Sequence, residues 1–392
     1  MTELLIAPEK EKITAEGCTK TAYDMAMGTS QMLGCLTERL QDVSSDATLT
    51  CFGQEFNPET YAIAKADMLI KGGNASGMKY GDTLSDDAFS GYEFDYVISN
   101  PPFGIDWKRE KTQVETEAKL GYDGRFGPGL PAISDGQMLF MLNGVKKLKE
   151  GSGRMAIIQN GSSLFTGDAG SGASEIRRYL IHEDLVEAIV QLPTDLFYNT
   201  GISTYIWVLT KGKPMHRSGF LQLIDASKCF VKRRKNIGSK RVDLSDDCID
   251  LILQAYEGFE NQTYTDGDLV VESKVFAKDF FGFTKVTVET AQTDANGKPI
   301  LKRGRYVPVK GETDTESIPL SEDIDAYMAK NVLPYNPLAY IDPAKDKIGY
   351  EVPFTRLFYK FEAPESSASI FEDIKALEAK ETVLMKELFG NA

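Results

Sequence analysis

Short apolar runs alternate with segments of helical period through the first two hundred residues. Thr21–Met25 reads as a strand, residues 29–40 as a helix and Thr48–Gln54 as a second strand. The next helix, Pro58–Lys71, begins with a proline suited to a first helical position. Met78–Gly81 and Phe94–Ser99 follow as third and fourth strands, and Gln137–Leu148 as a helix that stops before Gly151 and Gly153. Arg154–Gln159 is a fifth strand, Ser174–Ile181 a helix, Leu185–Gln191 a sixth strand and Thr204–Leu209 a seventh. This βαβα rhythm predicts an α/β fold with a mostly parallel, seven-stranded sheet covered by helices. About a dozen residues join the last two strands; they contain Pro193, Asn199 and Gly201 and show no helical period. An antiparallel return at the sheet edge is therefore expected, with Gly219–Asp225 as a further edge strand.

The pattern changes beyond residue 290. Thr293–Lys302 is polar and holds Asn296 and Gly297, which marks a loop or hairpin. Segment 334–343 is proline-spaced and extended. Ser369–Leu388 is a charged amphipathic helix, with Ile370, Ile374, Leu377, Leu384 and Leu388 at roughly helical spacing. Such a helix either covers its own domain or is presented to a partner. The chain is thus expected to divide into a catalytic-type α/β domain at 1–290, an extended, loop-rich segment at 291–345, and a tail at 346–392 whose helix docks a partner.

Charge narrows the partners. With 44 Lys and Arg against 58 Asp and Glu, the net charge is −14. Phosphate contacts dominate affinity for nucleic acid, so tight binding by the whole surface is excluded and any such role needs a local basic patch or a partner subunit. Lys232-Arg233-Arg234-Lys235, with Lys240 and Arg241, is one candidate patch; a solvated turn is the plainer alternative. No apolar stretch is long enough to cross a membrane, and Met1–Ile13 lacks the apolar core of a signal peptide. The five cysteines, at 18, 35, 51, 229 and 248, form no CxxC pair, and only His182 and His216 are available. Free thiols in a reducing cytoplasm are expected, and no metal site.

The chemistry collects where strands end. Asn100-Pro101-Pro102-Phe103 directly follows the apolar run Phe94–Ser99. Pro101 fixes its own φ and drives Asn100 towards an extended conformation, and Pro102 does the same to Pro101. The Asn100 side-chain oxygen and the Pro101 carbonyl can then face one amino group, with Phe103 as a stacking surface for a planar base. Such an amine, held by two acceptors, is ready to receive an alkyl group on nitrogen. Asp24 leads into a glycine turn at Gly28-Thr29, Glu55 ends the second strand and Asp82 follows the third. In an open α/β sheet, ligands bind outside the carboxyl ends of the strands, so four successive strands deliver polar residues to one rim. A glycine turn before a helix suits a carboxylate or another anion, and an acid after the second strand suits a ribose diol. Each of these residues alone is a common turn or surface charge. Their order and spacing together carry the reading.

On these residues the chain resembles the S-adenosyl-L-methionine (AdoMet)-dependent amino-methyltransferases, and specifically the modification (M) subunits of type I restriction-modification systems. The likeness takes in Tyr23-Asp24, Gly28-Thr29, Phe52–Pro58, Gly81–Leu84, Asn100–Gly104, Asp135-Gly136-Gln137, Gly153–Ile158 and Leu192-Pro193. It extends to Ile348–Arg356, which looks like the family's C-terminal segment. The resemblance implies a Rossmann-like AdoMet-dependent fold and methylation of adenine N6 in DNA. It implies that Asp24, Gly28, Thr29, Glu55 and Asp82 line the cofactor site and that Asn100, Pro101, Pro102 and Phe103 hold a flipped adenine. DNA, a specificity (S) subunit and a restriction (R) subunit are the implied partners, in the cytoplasm.

Two departures from the family pattern define the alternative. The first motif of the family reads Asp-Pro-x-x-Gly-[Ser/Thr]-Gly-Gly, whereas here Ser30 and Gln31 replace the last two glycines. The family also carries a helical domain ahead of the catalytic one, to which nothing here is similar, and residues 1–16 do not resemble the Phe-x-x-Pro-type segment that covers the methionine moiety in the family. A scaffold subunit with weak or no AdoMet affinity is therefore the second reading. Methylation of a protein glutamine is a third, disfavoured by the tail segment. A nicotinamide dehydrogenase is disfavoured because the chain has no G-x-G-x-x-G.

Overall fold

A computed structural model describes residues 1–361 and 364–390. Of the expected tail, Glu362, Ala363, Asn391 and Ala392 lie outside the described residues. The chain forms two compact units, Met1–Pro353 and Phe354–Ala392.

The first unit is built on strands β1 (Thr19–Asp24), β2 (Thr48–Glu55), β3 (Met78–Tyr80), β4 (Tyr96–Ser99), β5 (Arg154–Asn160), β6 (Val186–Gln191), β7 (Thr204–Thr210) and β8 (Phe220–Asp225). A ribbon follows, β9 (Val231–Ile237) with β10 (Lys240–Asp243), and then the hairpin β11 (Gln262–Asp266) and β12 (Leu269–Ala277). Ten of these strands make one sheet in the order β11-β12-β8-β6-β7-β5-β4-β1-β2-β3. All seven expected strands are present, and the further strand expected at Gly219–Asp225 is β8, which lies inside the sheet between β6 and β12 rather than at its edge. Strands β3, β2, β1, β4 and β5 run parallel, and β6 and β8 are parallel to each other. The antiparallel strand expected at the edge lies inside the sheet. β7 inserts between β5 and β6, pairing antiparallel with both, and every one of its residues is buried. Its continuous apolar run Tyr205–Leu209 suits burial on both faces, which an edge position would waste. The unforeseen hairpin β11–β12 forms the edge beyond β8.

The sheet reverses its winding between β1 and β4, the place where an α/β sheet opens a crevice. The helices Gln31–Val43 and Pro58–Ile70 follow β1 and β2, and Asn57 caps the second by accepting from the Glu59 and Thr60 N–H groups. Residues 1–16 are not an idle lead-in. They form short helices at Thr2–Ile6 and Lys10–Ile13, and Leu4, Leu5, Ile6 and Ile13 enter the main core. Buried Glu9 there accepts from the Tyr96 hydroxyl at 2.6 Å and pairs with Lys20 at 3.2 Å.

Residues 291–345, expected as extended and loop-rich, carry strands. β13 (Gly282–Ala291) precedes the short hairpin β14 (Leu301–Lys302) and β15 (Arg305–Tyr306). β13 then pairs with β16 (Pro308–Pro319), β17 (Ala339–Ile341) and β18 (Lys347–Tyr350) in a second sheet. Val286, Val288, Ile318 and Met328 form its small core. The 12-residue β16 reads as polar because its pattern is almost wholly exposed, which hides a strand from hydrophobic periodicity. Within the first unit, β18 joins this sheet to the helix Gly172–His182: buried Arg177 donates to the Tyr350 carbonyl at 2.6 Å. The second unit is dominated by the helix Ser367–Phe389, capped by Ser366 and exposed along its whole length. Among the described residues no helix is long and apolar enough to cross a membrane.

Candidate active site

A cavity of about 630 Å³ opens at the carboxyl ends of β1 to β4. Its lining brings together Glu55 from β2, Asp82 and Thr83 after β3, and Asn100 and Pro102 after β4. Met25 and Ala26 bound it from the β1 side, and Phe56, Leu84, Ile105 and Phe140 give it apolar walls. Asp106, Arg109, Glu110 and Gly136 complete the rim.

The corner after β4 is presented as the two prolines dictate. Ser99 is buried, Asn100 is exposed to the cavity, Pro101 is buried beneath it and Pro102 is exposed again. Asn100 thus offers its amide oxygen at the mouth. Phe103 is half-buried and packs against the main core, so it does not line the cavity.

The loop after β3 is laced from below. Asp82 Oδ1 accepts from the Leu84 and Ser85 N–H groups at 2.9 and 2.8 Å and from the Ser85 hydroxyl, closing a turn. The Thr83 hydroxyl donates to the Met25 carbonyl. Arg125 is nearly fully buried and donates to the Thr83 and Leu84 carbonyls at 2.7 and 3.1 Å, while its own charge is met by Glu117 at 2.6 Å. Burial opposes ionisation of Glu117, but hydrogen bonds from Arg125 outweigh it and hold the acid below the usual carboxylate range. Arg125 is therefore a positioning residue for the cavity wall. No sequence motif flags it, because its partners lie some forty residues away.

The turn after β1 is folded in on itself. Asp24 is fully buried and does not reach the cavity. Its Oδ1 accepts from the Ser99 hydroxyl at 2.7 Å and the Ala26 N–H at 3.0 Å, while Oδ2 has no partner among the described residues. Burial drives its pKa up to about 7; the Ser99 and Ala26 donors pull the other way, and nearby Glu55 adds to the rise. Gly28 takes a left-handed φ of 53° and donates its N–H to Glu55 Oε2 at 2.9 Å; Glu55 Oε1 accepts from the Asn57 N–H at 2.7 Å. Neither Gly28 nor Thr29 lines the cavity. Ser30, where the family pattern has glycine, is left-handed at φ 66°, and its buried hydroxyl has no partner among the described residues. Gln31 swings outwards to Asp67 at 3.3 Å.

Of the residues singled out in the sequence, Glu55, Asp82, Asn100 and Pro102 converge on one cavity. Pro101 lies beneath it, and Asp24, Gly28, Thr29 and Phe103 sit behind its walls. Arg109, Phe140 and Arg125 were not foreseen. The donor set fits the nucleoside part of AdoMet: an acid at the end of the second strand with a lone pair left on each oxygen, apolar walls for a purine, and volume enough. The Asp24 end offers no open contact in this conformation.

The strand order, the crevice at the winding reversal and this rim define the fold of the AdoMet-dependent methyltransferases. The chain belongs to the N-6 DNA Methylase family, which matches residues 11–295. It is similar to the type I restriction enzyme MjaIX methylase subunit of Methanocaldococcus jannaschii, 28% identical over 296 residues that cover 74% of this chain and 49% of that one. The HindI methylase subunit of Haemophilus influenzae is 26% identical over 316 residues, 79% of this chain and 67% of that one. Among solved structures, the methyltransferase subunit of the type I restriction-modification system of Streptococcus thermophilus superposes with a TM-score of 0.58 at 26% identity, covering 72% of this chain and 54% of that one. The EcoKI M protein shares the fold, with a TM-score of 0.52 at 19% identity over 72% of this chain and 63% of that one. The chain spans about half the length of several of the curated relatives it matches.

Proposed function

We propose that the chain is the modification subunit of a type I restriction-modification system and methylates adenine N6 in DNA, using AdoMet. The observation that carries this reading is the convergence of Asn100, at the proline corner, with Glu55 and Asp82 on one cavity. Glu55, with Asp82 and the apolar walls, would hold the cofactor, which supplies an electrophilic methyl group when bound. The chain's own residues then place the nucleophile. Asn100 Oδ1 and the Pro101 carbonyl accept from the two N–H bonds of the exocyclic amine. This points the nitrogen lone pair into the cavity and raises its electron density. Bound AdoMet would supply the methyl group and leave as S-adenosylhomocysteine, while Asn100 and the Pro101 carbonyl would hold the amine as one of its protons passes to water. Catalysis is mostly positioning, and no covalent enzyme intermediate is needed. An adenine stacked in a duplex cannot reach this corner, so the base is flipped out.

The helix Ser367–Phe389, with Ile370, Ile374, Leu377, Leu384 and Leu388 exposed, is the proposed docking element for the specificity subunit; the restriction subunit joins the same cytoplasmic assembly. The inward-folded turn at Asp24–Ser30 favours the second reading, a scaffold with little AdoMet affinity. Calorimetric titration of AdoMet, followed by transfer of labelled methyl to duplex DNA by the full chain with its specificity partner, separates the two. Micromolar binding with label on adenine supports the enzyme. Absent binding with normal assembly establishes the scaffold.

A further inference from the structure

The cations at 232–241 remain outside the site described so far. They lie on β9 and β10, a two-stranded antiparallel ribbon that leaves the carboxyl end of β8. β8 is parallel to β6, and both β6 and β5 pair antiparallel with β7, so the carboxyl ends of β4, β5, β6 and β8 share one rim. The ribbon thus rises from the same rim as Asn100. It is anchored rather than loose. The Ser239 N–H donates to the Tyr198 carbonyl at 2.9 Å and the Arg241 N–H to the Asp195 carbonyl at 2.8 Å. Gly238, left-handed at φ 59°, leaves no room for a Cβ against the Tyr198 carbonyl. Asp243, the ribbon's one acid, pairs with both Arg233 and Lys240.

Lys232, Arg234, Lys235 and Arg241 are exposed, and none has an ion-pair partner among the described residues. Four unpaired cations held on a rigid ribbon are unusual on a chain of net charge −14, whose surface otherwise repels polyanions. We propose that this ribbon is a phosphate clamp for the DNA backbone, an inference that rests on the DNA-methyltransferase reading. Three strands separate β8 from β4 in the sheet. At about 4.8 Å per strand, the ribbon's base stands roughly 19 Å from the Asn100 corner. Phosphates along one strand advance about 3.4 Å each along the helix axis. The clamp therefore engages the backbone about half a helical turn from the flipped base. Contacts of this kind set register and affinity without reading sequence.

The test uses the full chain and a fluorescent duplex of about 30 base pairs, with anisotropy read across a salt series, since log K falls with log salt in proportion to the phosphates contacted. In the quadruple variant Lys232→Gln/Arg234→Gln/Lys235→Gln/Arg241→Gln, the salt slope is expected to fall by about 3 and affinity at 0.1 M salt by about tenfold or more, equally for unrelated DNA sequences. Melting temperature and AdoMet affinity stay at the wild-type values. The double variant Lys232→Arg/Lys235→Arg keeps the slope. Wild-type slope and affinity in the quadruple variant overturn the clamp while leaving the methyltransferase reading intact, as does a variant that binds DNA normally but no longer assembles with a protein partner. A wild-type chain with no duplex affinity at any salt also overturns the clamp alone, because the methyltransferase reading is tested by methyl transfer in the presence of the specificity partner.

Discussion

The corner Asn100–Phe103 and the turn Asp24–Gln31 leave neighbouring parallel strands at the same end of the sheet, and they are built in opposite ways. The corner needs no distant partner. Two prolines set its backbone, one lies buried as a footing, and Asn100 faces the cavity with its acceptor open. The turn is held from elsewhere. The Gln54 carbonyl takes the Met27 N–H, Glu55 takes that of Gly28, and Asp24 is sealed beneath. A stiff local motif keeps its geometry wherever it stands. A flexible turn takes the geometry its neighbours impose, and here two positions that glycine fills in the family pattern carry side chains.

The corner's half of this comparison is broken most directly by Asn100→Ala. The residue is exposed, so little stability is lost, but one of the two acceptors for the amine disappears. The expected loss in kcat for methyl transfer is roughly 10²–10³-fold, the scale of removing one preorganised polar contact from a transition state. AdoMet affinity by calorimetry should change by no more than a few-fold. Full turnover in this variant would remove Asn100 from the reaction.

The turn's half is probed by Asp24→Asn across pH. With its pKa raised to about 7 by burial, folded Asp24 binds a proton that the unfolded chain has already released between about pH 4 and pH 7. The folded state then holds more protons, so stability falls as pH rises through that window and levels off above it, by up to roughly 4 kcal/mol. The variant lacks this component. Its stability relative to the wild type should improve steadily from pH 4 to pH 8 in urea unfolding, whatever fixed cost the new amide brings. Parallel pH curves would show that Asp24 is charged or solvated in the native state.

This contrast also explains what was legible in the sequence. The strands over 19–99 and the polar residues at their ends were readable because apolar runs and turn residues are local signals. Asn100 and Pro102 were found for the same reason. The interior place of β7 was not readable, since it depends on β6 pairing on its far side rather than beside β5, a choice made by tertiary packing and not by local pattern. Exposed β16 offered no periodicity, and the N-terminal helices were too short to show one. In the site, Arg125 acts through backbone carbonyls that any sequence supplies. The burial of Asp24 and the half-burial of Phe103 follow from tertiary packing, which strand-end logic does not reach.

Glu55 joins the two halves, because it faces the cavity while holding Gly28 and Asn57. In Glu55→Gln one of those N–H acceptors becomes a donor, and the anion suited to a ribose diol is lost. AdoMet affinity is expected to weaken about tenfold, about 1.4 kcal/mol, with a modest drop in melting temperature. If affinity holds while the melting temperature drops, Glu55 serves only the turn.

The smallest effect isolates the turn's strain. Ser30 pays twice: a left-handed backbone that costs a residue with a Cβ about 1–2 kcal/mol, and a buried hydroxyl without a partner among the described residues. Ser30→Gly removes both, against about 0.5–1 kcal/mol for the extra freedom of glycine in the unfolded chain. A net gain of about 1 kcal/mol is expected, some 2 °C in melting temperature for a domain of this size. Ser30→Ala separates the two contributions, because it removes the hydroxyl and keeps the Cβ. If the turn is strained as its φ indicates, the glycine variant melts above the alanine variant, and the gap measures the backbone strain less glycine's entropic cost. If alanine equals or exceeds glycine, the left-handed geometry costs no more than glycine's own entropic penalty of about 0.5–1 kcal/mol, and the replacement of the family's glycine is close to neutral.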